Sequence, residues 1–210
     1  MIEQCCGGKH CQLEKKRKTW SILICTLKER KKQFMILTDK LMAQIEFYKL
    51  EKKVEVLYLS DSLYDVNKMS IGTKRNQLVE SANGVYVSFV DDDDAVANDY
   101  IIAIYNKLKN KPDCVGMKGI ITTNGTQAKE FIHSIKYTDY YEQNNIYYRC
   151  PNHLNPIKKE IVKQVMFTDK SHGEDTDFAK KLCKMKLLKT EEFISYPIYF
   201  YRYIRKPIHK

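Results

Sequence analysis

The chain has 210 residues, of which 43% are hydrophobic and 30% charged, enough for one domain, or one domain with two lobes, around a sizeable core. No apolar run reaches the roughly 18 residues of a membrane span, the N-terminus lacks the apolar stretch of a secretory signal, and nothing requires a disulfide framework, so a soluble, cytoplasmic protein is expected. The formal net charge of +10 favours polyanionic partners, nucleic acid first, although the lysines are dispersed as compositional bias alone would leave them.

Residues 1–19 read as a flexible basic tail. It holds Cys5, Cys6, His10 and Cys11, all zinc-type ligands, but structural zinc sites use separated ligand pairs and adjacent cysteines rarely both reach one tetrahedral ion. Trp20 to Leu27 is predicted as the first core strand. Phe34, Leu37, Leu41, Ile45 and Tyr48 then recur at the three- and four-residue spacings of an amphipathic helix. Val54 to Leu59 is the second strand, ending at Ser60-Asp61-Ser62. Ser70-Ile-Gly-Thr73 opens a helix that runs through Ala82 and stops at Asn83-Gly84.

Val85 to Val90 is an apolar, β-branched and aromatic run, the pattern of a buried strand, and it leads directly into Asp91-Asp-Asp-Asp94. In an open α/β sheet the carboxyl ends of strands are where ligands bind. Four adjacent like charges need compensation, and a divalent cation, which also bridges diphosphates, supplies it. Acids also suit a helix N-terminus, and a helix follows from about Asn98 to Asn110. A further strand spans Asp113 to Thr122, with a turn at Asn124-Gly125. Short strands are expected around His133 to Tyr137 and Ile146 to Arg149, and a helix from Ile157 to Val165. Gly173-Glu-Asp-Thr-Asp177 enters a helix with Phe178, Leu182 and Met185 on one face. Residues 193–204 alternate around Pro197 as an edge strand would. Strands alternating with helices predict an α/β fold with a mostly parallel sheet and right-handed crossovers.

In order, these pieces resemble glycosyltransferases of the GT-A fold, particularly the large family 2 group. Ser21-Ile-Leu-Ile-Cys-Thr26 with Arg30 resembles the family's first strand and the loop after it, and Asp61 stands where its second strand ends in a base-binding aspartate. Gly72-Thr-Lys-Arg-Asn76 resembles its Gly…Arg-Asn element, Phe89-Val-Asp-Asp-Asp-Asp94 its Asp-X-Asp stretch, and Glu174-Asp175 its downstream acid pair. The Gln-X-X-Arg-Trp element of processive synthases is absent, since Trp20 is the only tryptophan, which argues against a polysaccharide synthase.

The resemblance implies a Rossmann-like GT-A domain over residues 20–210, with a nucleotide-sugar half at 20–112 and a smaller acceptor-side lobe at 113–210. It implies a nucleotide-sugar donor, a UDP-sugar by preference, approached by Thr26, Arg30, Asp61, Lys74, Arg75 and Asp91. Mn2+ or Mg2+ would be held by Asp91 and Asp93, with His153 as a further ligand, while Asp92 would point the other way and Asp94 would support the site through water. Asp175 would be the general base of an inverting displacement and Glu174 its orienting neighbour. The hydroxyl acceptor is left open, with modified DNA as one candidate, since tyrosines between Tyr137 and Tyr148 would either stack on bases or sugars or pack a small lobe. Two rivals stand beside this reading. A nucleotidyltransferase would carry a glycine-rich phosphate loop, which Ser21 to Lys32 lacks; a non-catalytic nucleic-acid-binding module would have little reason to collect so many carboxylates at element ends.

Overall fold

The computed structural model describes residues 2–4, 17–62 and 68–204. In chain order the elements are β1 (Ile2–Gln4), β2 (Lys18–Leu27), a single turn of 3-10 helix (Lys28–Arg30), α1 (Lys31–Phe47), β3 (Val54–Asp61), α2 (Ile71–Ser81), β4 (Gly84–Phe89), β5 (Ala95–Val96), α3 (Tyr100–Leu108), β6 (Cys114–Thr123), β7 (Thr126–His133), β8 (Tyr141–Gln143), β9 (Ile146–Arg149), β10 (Ile157–Lys158), α4 (Lys159–Val165), α5 (Glu174–Lys184) and β11 (Glu191–Tyr203).

β2 shows why the chain folds into three layers. Its side chains alternate between the two faces of the sheet. Trp20, Ile22 and Ile24 pack with Leu37, Leu41 and Ile45 of α1 and with Tyr100, Ile101 and Ile104 of α3. Leu23 faces the opposite layer, with Leu78 and Val79 of α2, Ile161 and Val162 of α4 and Phe178 and Leu182 of α5. Both faces are covered, so the middle of the strand, Ile22 to Cys25, is continuously apolar rather than alternating, as strands in doubly covered sheets are.

The sheet runs β1-β3-β2-β4-β10-β6-β7-β9-β8, with β11 beside β6. β3, β2 and β4 pair in parallel, and β11 lies parallel to β6. The two-residue β10 is antiparallel to both β4 and β6, which leaves those two strands running the same way. The architecture is therefore α/β, a mostly parallel central sheet flanked by helices, as the sequence predicts. The strands β7, β9 and β8 extend it beyond β6.

Several boundaries differ from expectation. The strand expected around His133 to Tyr137 is instead Thr126–His133, because the turn at Asn124 and Gly125 (φ 51° and 75°) sets the register of an antiparallel hairpin with β6. The start of that strand is exposed and polar, so it carries no apolar signal. Ile157 and Lys158 are not helical but form β10, since the gap between β4 and β6 needs a bridging strand. β11 is an edge only in part: β5 pairs with it at Tyr199 and Phe200, and Pro197 sits where its register with β6 shifts. The strand before the acidic run stops at Phe89, and the Asp94 N–H donates to the Asp91 carbonyl at 3.1 Å, so the four aspartates occupy a turn.

Candidate active site

The strand order reverses beside β2, whose neighbours are the later strands β3 and β4, and the crevice beyond the carboxyl ends at such a switch point is where open α/β sheets bind ligands. β2 delivers Thr26 and, one short turn later, Arg30; β3 ends on Asp61; β4 leads to Asp91. Lys74 of α2 donates to Asp61 Oδ1 at 2.7 Å, and both groups are buried. Asp61 Oδ2 is buried with no hydrogen-bond partner among the described residues, so it remains an available acceptor.

The turn separates the four aspartates by environment. Asp92 is buried and accepts from the Thr26 hydroxyl at 2.8 Å and from Arg30 Nη1 at 2.7 Å. Asp93 is half exposed and accepts from the same Arg30 atom at 3.0 Å. Burial, together with the charges of Asp92 and Asp91, holds its pKa above the ordinary carboxylate value despite Arg30. Asp94 is buried against β11, accepting from the Tyr199 hydroxyl at 2.7 Å and the Arg202 N–H at 2.8 Å. Burial, with the Asp91 charge next, pushes it up to about 8. Asp94 is thus a strut rather than the water-mediated support expected of it. Asp91 faces the other way, towards Arg75 Nη2 at 3.3 Å and His153 Nε2 at 3.4 Å. Burial alone would raise its pKa, but His153, Arg75 and Arg30 hold it well below the usual range.

Arg75 is the hub. Its guanidinium lies 5.3 and 5.4 Å from the Phe89 and Phe167 ring centroids, and Nη1 is 3.4 Å from Glu174 Oε1. Burial works against its charge, and Asp91 leads the anionic neighbours that overcome it. Its Nε and Nη1 make no hydrogen bond among the described residues, leaving buried donors beside Asp91.

The start of α5 is brought to this hub by α2. Ser70 caps α2, its Oγ accepting from the Thr73 N–H at 3.0 Å. Asn76 exchanges two hydrogen bonds with the Phe167 backbone, at 2.9 and 2.8 Å. The Gly72 N–H donates to the Lys170 carbonyl at 3.1 Å, and a Cβ on Gly72 would stand 1.8 Å from the Thr168 carbonyl oxygen, so only glycine permits this approach. Gly173 then turns the chain at φ 73° into Glu174 and Asp175.

His153 arrives on a buried loop, 150–156, that is held largely by its own groups. Asn152 Oδ1 accepts from the Leu154 N–H at 3.0 Å, and the His153 carbonyl accepts from Phe89 N–H at 2.8 Å, tying the loop to the end of β4. Asp91, His153 and Asp175 line one cavity of about 60 Å³ with His133, Arg149 and Tyr201.

The structure therefore brings together Asp91, Arg75, Glu174, Asp175 and His153, and places Thr26, Arg30 and Asp93 on one side of them and Asp61 and Lys74 on another. His172 is exposed. Among the described residues no group of three or more His, Cys, Asp and Glu side chains is arranged to hold a metal ion, and the Cys5, Cys6, His10 and Cys11 cluster lies outside those residues. Sequence reasoning missed Tyr199, whose hydroxyl also accepts from the Asp91 N–H at 3.1 Å, and it missed His133 and Arg149. A signal existed in the unusual stretch Arg149-Cys-Pro-Asn-His-Leu-Asn155, where polar groups crowd between strand and helix.

No family model matches the sequence, and no curated protein matches it. The fold is similar to crystal structures of S. aureus TarS. The 1–349 fragment in complex with UDP-GlcNAc superposes with a TM-score of 0.59 at 16% identity, over 91% of this chain and 60% of that one. The same fragment in complex with UDP gives 0.58 at 15%, over 88% and 60%. A longer TarS structure gives 0.58 at 16%, over 88% of this chain and 36% of that one. The present chain thus spans 60% or less of these relatives, and at such identities the likeness is one of fold. Among the described residues no helix is long and apolar enough to cross a membrane.

Proposed function

We propose that this chain is a metal-dependent, inverting glycosyltransferase of the GT-A fold, family 2-like, that moves a sugar from a UDP-sugar to a hydroxyl acceptor. The observation that carries the reading is the convergence of Asp91, His153 and Asp175 on one cavity beyond the end of β4, with Arg75 3.3 Å from Asp91. The likeness to a protein solved with UDP-GlcNAc and with UDP supports the choice of donor.

The residues suit a divalent cation. Asp91 Oδ2 and His153 Nε2 lie 3.4 Å apart, long for a hydrogen bond and near the ~3 Å between adjacent ligands of an octahedral ion bonded at about 2.1 Å. Mg2+ and Mn2+ commonly take a few protein ligands and fill their shell with diphosphate oxygens and water. Asp91 and His153 are the pair that would hold the ion, whereas Asp93, expected as a ligand, is turned to Arg30 on the other side of the turn. A bound ion would supply Lewis-acid stabilisation of the charge developing on the diphosphate.

The remaining roles belong to the chain itself. Asp61 Oδ2, unpartnered among the described residues, accepts from an N–H of the base, with Lys74 fixing its orientation. Thr26 and Arg30 shape the acidic turn around the ribose and phosphates. Arg75 turns its Nε donor to the diphosphate and holds Glu174 through Nη1. Asp175 takes the proton from the acceptor hydroxyl. The acceptor oxygen then bonds to the anomeric carbon opposite the diphosphate, the bond from that carbon to the diphosphate oxygen breaks, and UDP leaves with both electrons.

The direct test is nucleotide release. Purified protein incubated with UDP-GlcNAc and a panel of other UDP-sugars in manganese should liberate UDP slowly from at least one, and chelation should suppress it. No release from any donor, with or without metal, overturns the reading. A non-catalytic nucleic-acid module draws less support, since the tyrosines it would use pack on one another: Tyr141 stacks on Tyr148 at 5.1 Å and Tyr137 meets both edge-on.

A further inference from the structure

His133 and Arg149 are register partners on the parallel strands β7 and β9, so their side chains leave the sheet side by side. Both line the cavity that holds Asp91 and Asp175. His133 is fully buried, and its Nε2 has no hydrogen-bond partner among the described residues.

The neighbours of His133 determine what Nε2 can do. The Asn155 amide is fixed at both ends: its Nδ2 donates to the Val115 carbonyl at 2.9 Å and its Oδ1 accepts from the Asn152 N–H at 3.0 Å. The same Oδ1 lies 3.1 Å from His133 Nδ1. A carbonyl oxygen only accepts, so Nδ1 carries the proton. Burial first, and the Arg149 charge second, push the His133 pKa down to about 3, so the ring is neutral and Nε2 is a bare lone pair. A buried acceptor left unpaired is costly, which favours a ligand that brings a donor.

The chemistry of the cavity narrows that ligand. A fully ionised phosphate or carboxylate has no proton to give Nε2 and would meet the charges of Asp91 and Asp175. Arg149 stacks at 5.1 Å over Tyr140 and 5.4 Å over Tyr147 and has no carboxylate partner among the described residues, leaving N–H groups to donate. One acceptor beside one donor reads adjacent hydroxyl groups. The pair also belongs to the β7 and β9 side of the sheet, away from Thr26, Asp61 and Lys74. Resting on the glycosyltransferase reading, we propose that His133 Nε2 and Arg149 form the acceptor-binding pair of this enzyme, which takes a sugar with adjacent hydroxyls and holds it beside Asp175.

The test uses the full chain labelled with 15N-histidine, with UDP and magnesium present. Long-range 1H–15N spectra should show His133 Nδ1 as protonated and Nε2 as bare. Across a panel of methyl hexosides and pentosides, at least one should move the Nε2 resonance upfield. With that glycoside as acceptor, His133→Leu should raise KM about tenfold, the worth of one hydrogen bond, while His133→Gln, which keeps an acceptor atom, recovers part of it and UDP affinity is unchanged. A protonated Nε2 overturns the proposal, as does a panel in which no glycoside moves Nε2. A His133→Leu variant that loses glycoside and UDP binding equally also overturns it, as a mark of a folding role. UDP binding, read from amide shifts of α2 in the wild-type sample, is the separate check on the glycosyltransferase reading, so the two failures are told apart.

Discussion

At Arg75 one buried guanidinium compensates Asp91 at 3.3 Å and Glu174 at 3.4 Å. Removing one partner of a buried ion pair leaves uncompensated charge, typically at a cost of about 3–5 kcal/mol. Arg75→Ala should therefore lower the urea midpoint markedly, and an unchanged midpoint would show that the two carboxylates are solvated after all. Asp91→Asn should remove the manganese-dependent part of UDP affinity measured by calorimetry. Asp93→Asn should weaken that part less, because Asp93 is half exposed and already tied to Arg30. Asp175→Asn should keep UDP affinity and lose turnover by roughly 10²–10⁴-fold, the usual contribution of a positioned base. Full activity in that variant would assign the base elsewhere.

The element that positions this chemistry is α2, because its first turn touches the backbone that leads into α5. Gly72→Ala places a methyl against the Thr168 carbonyl, where backbone must move. We expect a loss of roughly 1–3 kcal/mol, the range for overpacking, together with reduced transfer, since the displaced segment carries Glu174 and Asp175. Normal activity in a stable Gly72→Ala protein would separate the two elements. β7 supplies a pH dependence. His133 is held neutral in the folded chain down to about 3, against an ordinary value of 6.5. Below pH 6.5 the unfolded chain binds a proton that the folded chain refuses, so this group's stabilising effect is full above 6.5 and is lost as pH falls towards 3. Urea midpoints between pH 7 and 4 should fall more steeply for the wild type than for His133→Leu, and parallel curves would contradict the assignment.

For the whole molecule the governing quantity is the charge of +10, which persists although the site itself collects acids. Duplex DNA should bind loosely, and its affinity should fall with salt at a log–log slope of about −0.9 for each phosphate neutralised. Binding insensitive to salt would remove electrostatic attraction as the source of any polyanion preference.

The succession of the main elements from β2 to β6, the layered α/β class and the ends of β2, β3 and β4 to within a residue or two were legible in the chain, whereas the short strands β5, β8 and β10 were not. They follow from local periodicity, from caps such as Ser70 and from breakers such as Asn83-Gly84, all short-range effects. The grouping of Thr26, Arg30, Asp61, Arg75, Asp91 and Asp175 as site candidates came instead from the resemblance to GT-A glycosyltransferases, although all but Arg75 lie at or beside element ends. What only the tertiary structure decided is how neighbours in sequence part company. Asp91, Asp92, Asp93 and Asp94 are chemically identical in the sequence, yet the turn sends them to His153, Thr26, Arg30 and Tyr199 respectively. Those partners lie 62, 66, 63 and 105 residues away along the chain, beyond any local pattern. The bare nitrogen of His133 likewise depends on Asn155, whose own orientation is set by Val115 on a third segment. A side chain's protonation and partners are properties of the packed neighbourhood, and residues distant in sequence create that neighbourhood only when the sheet closes over them.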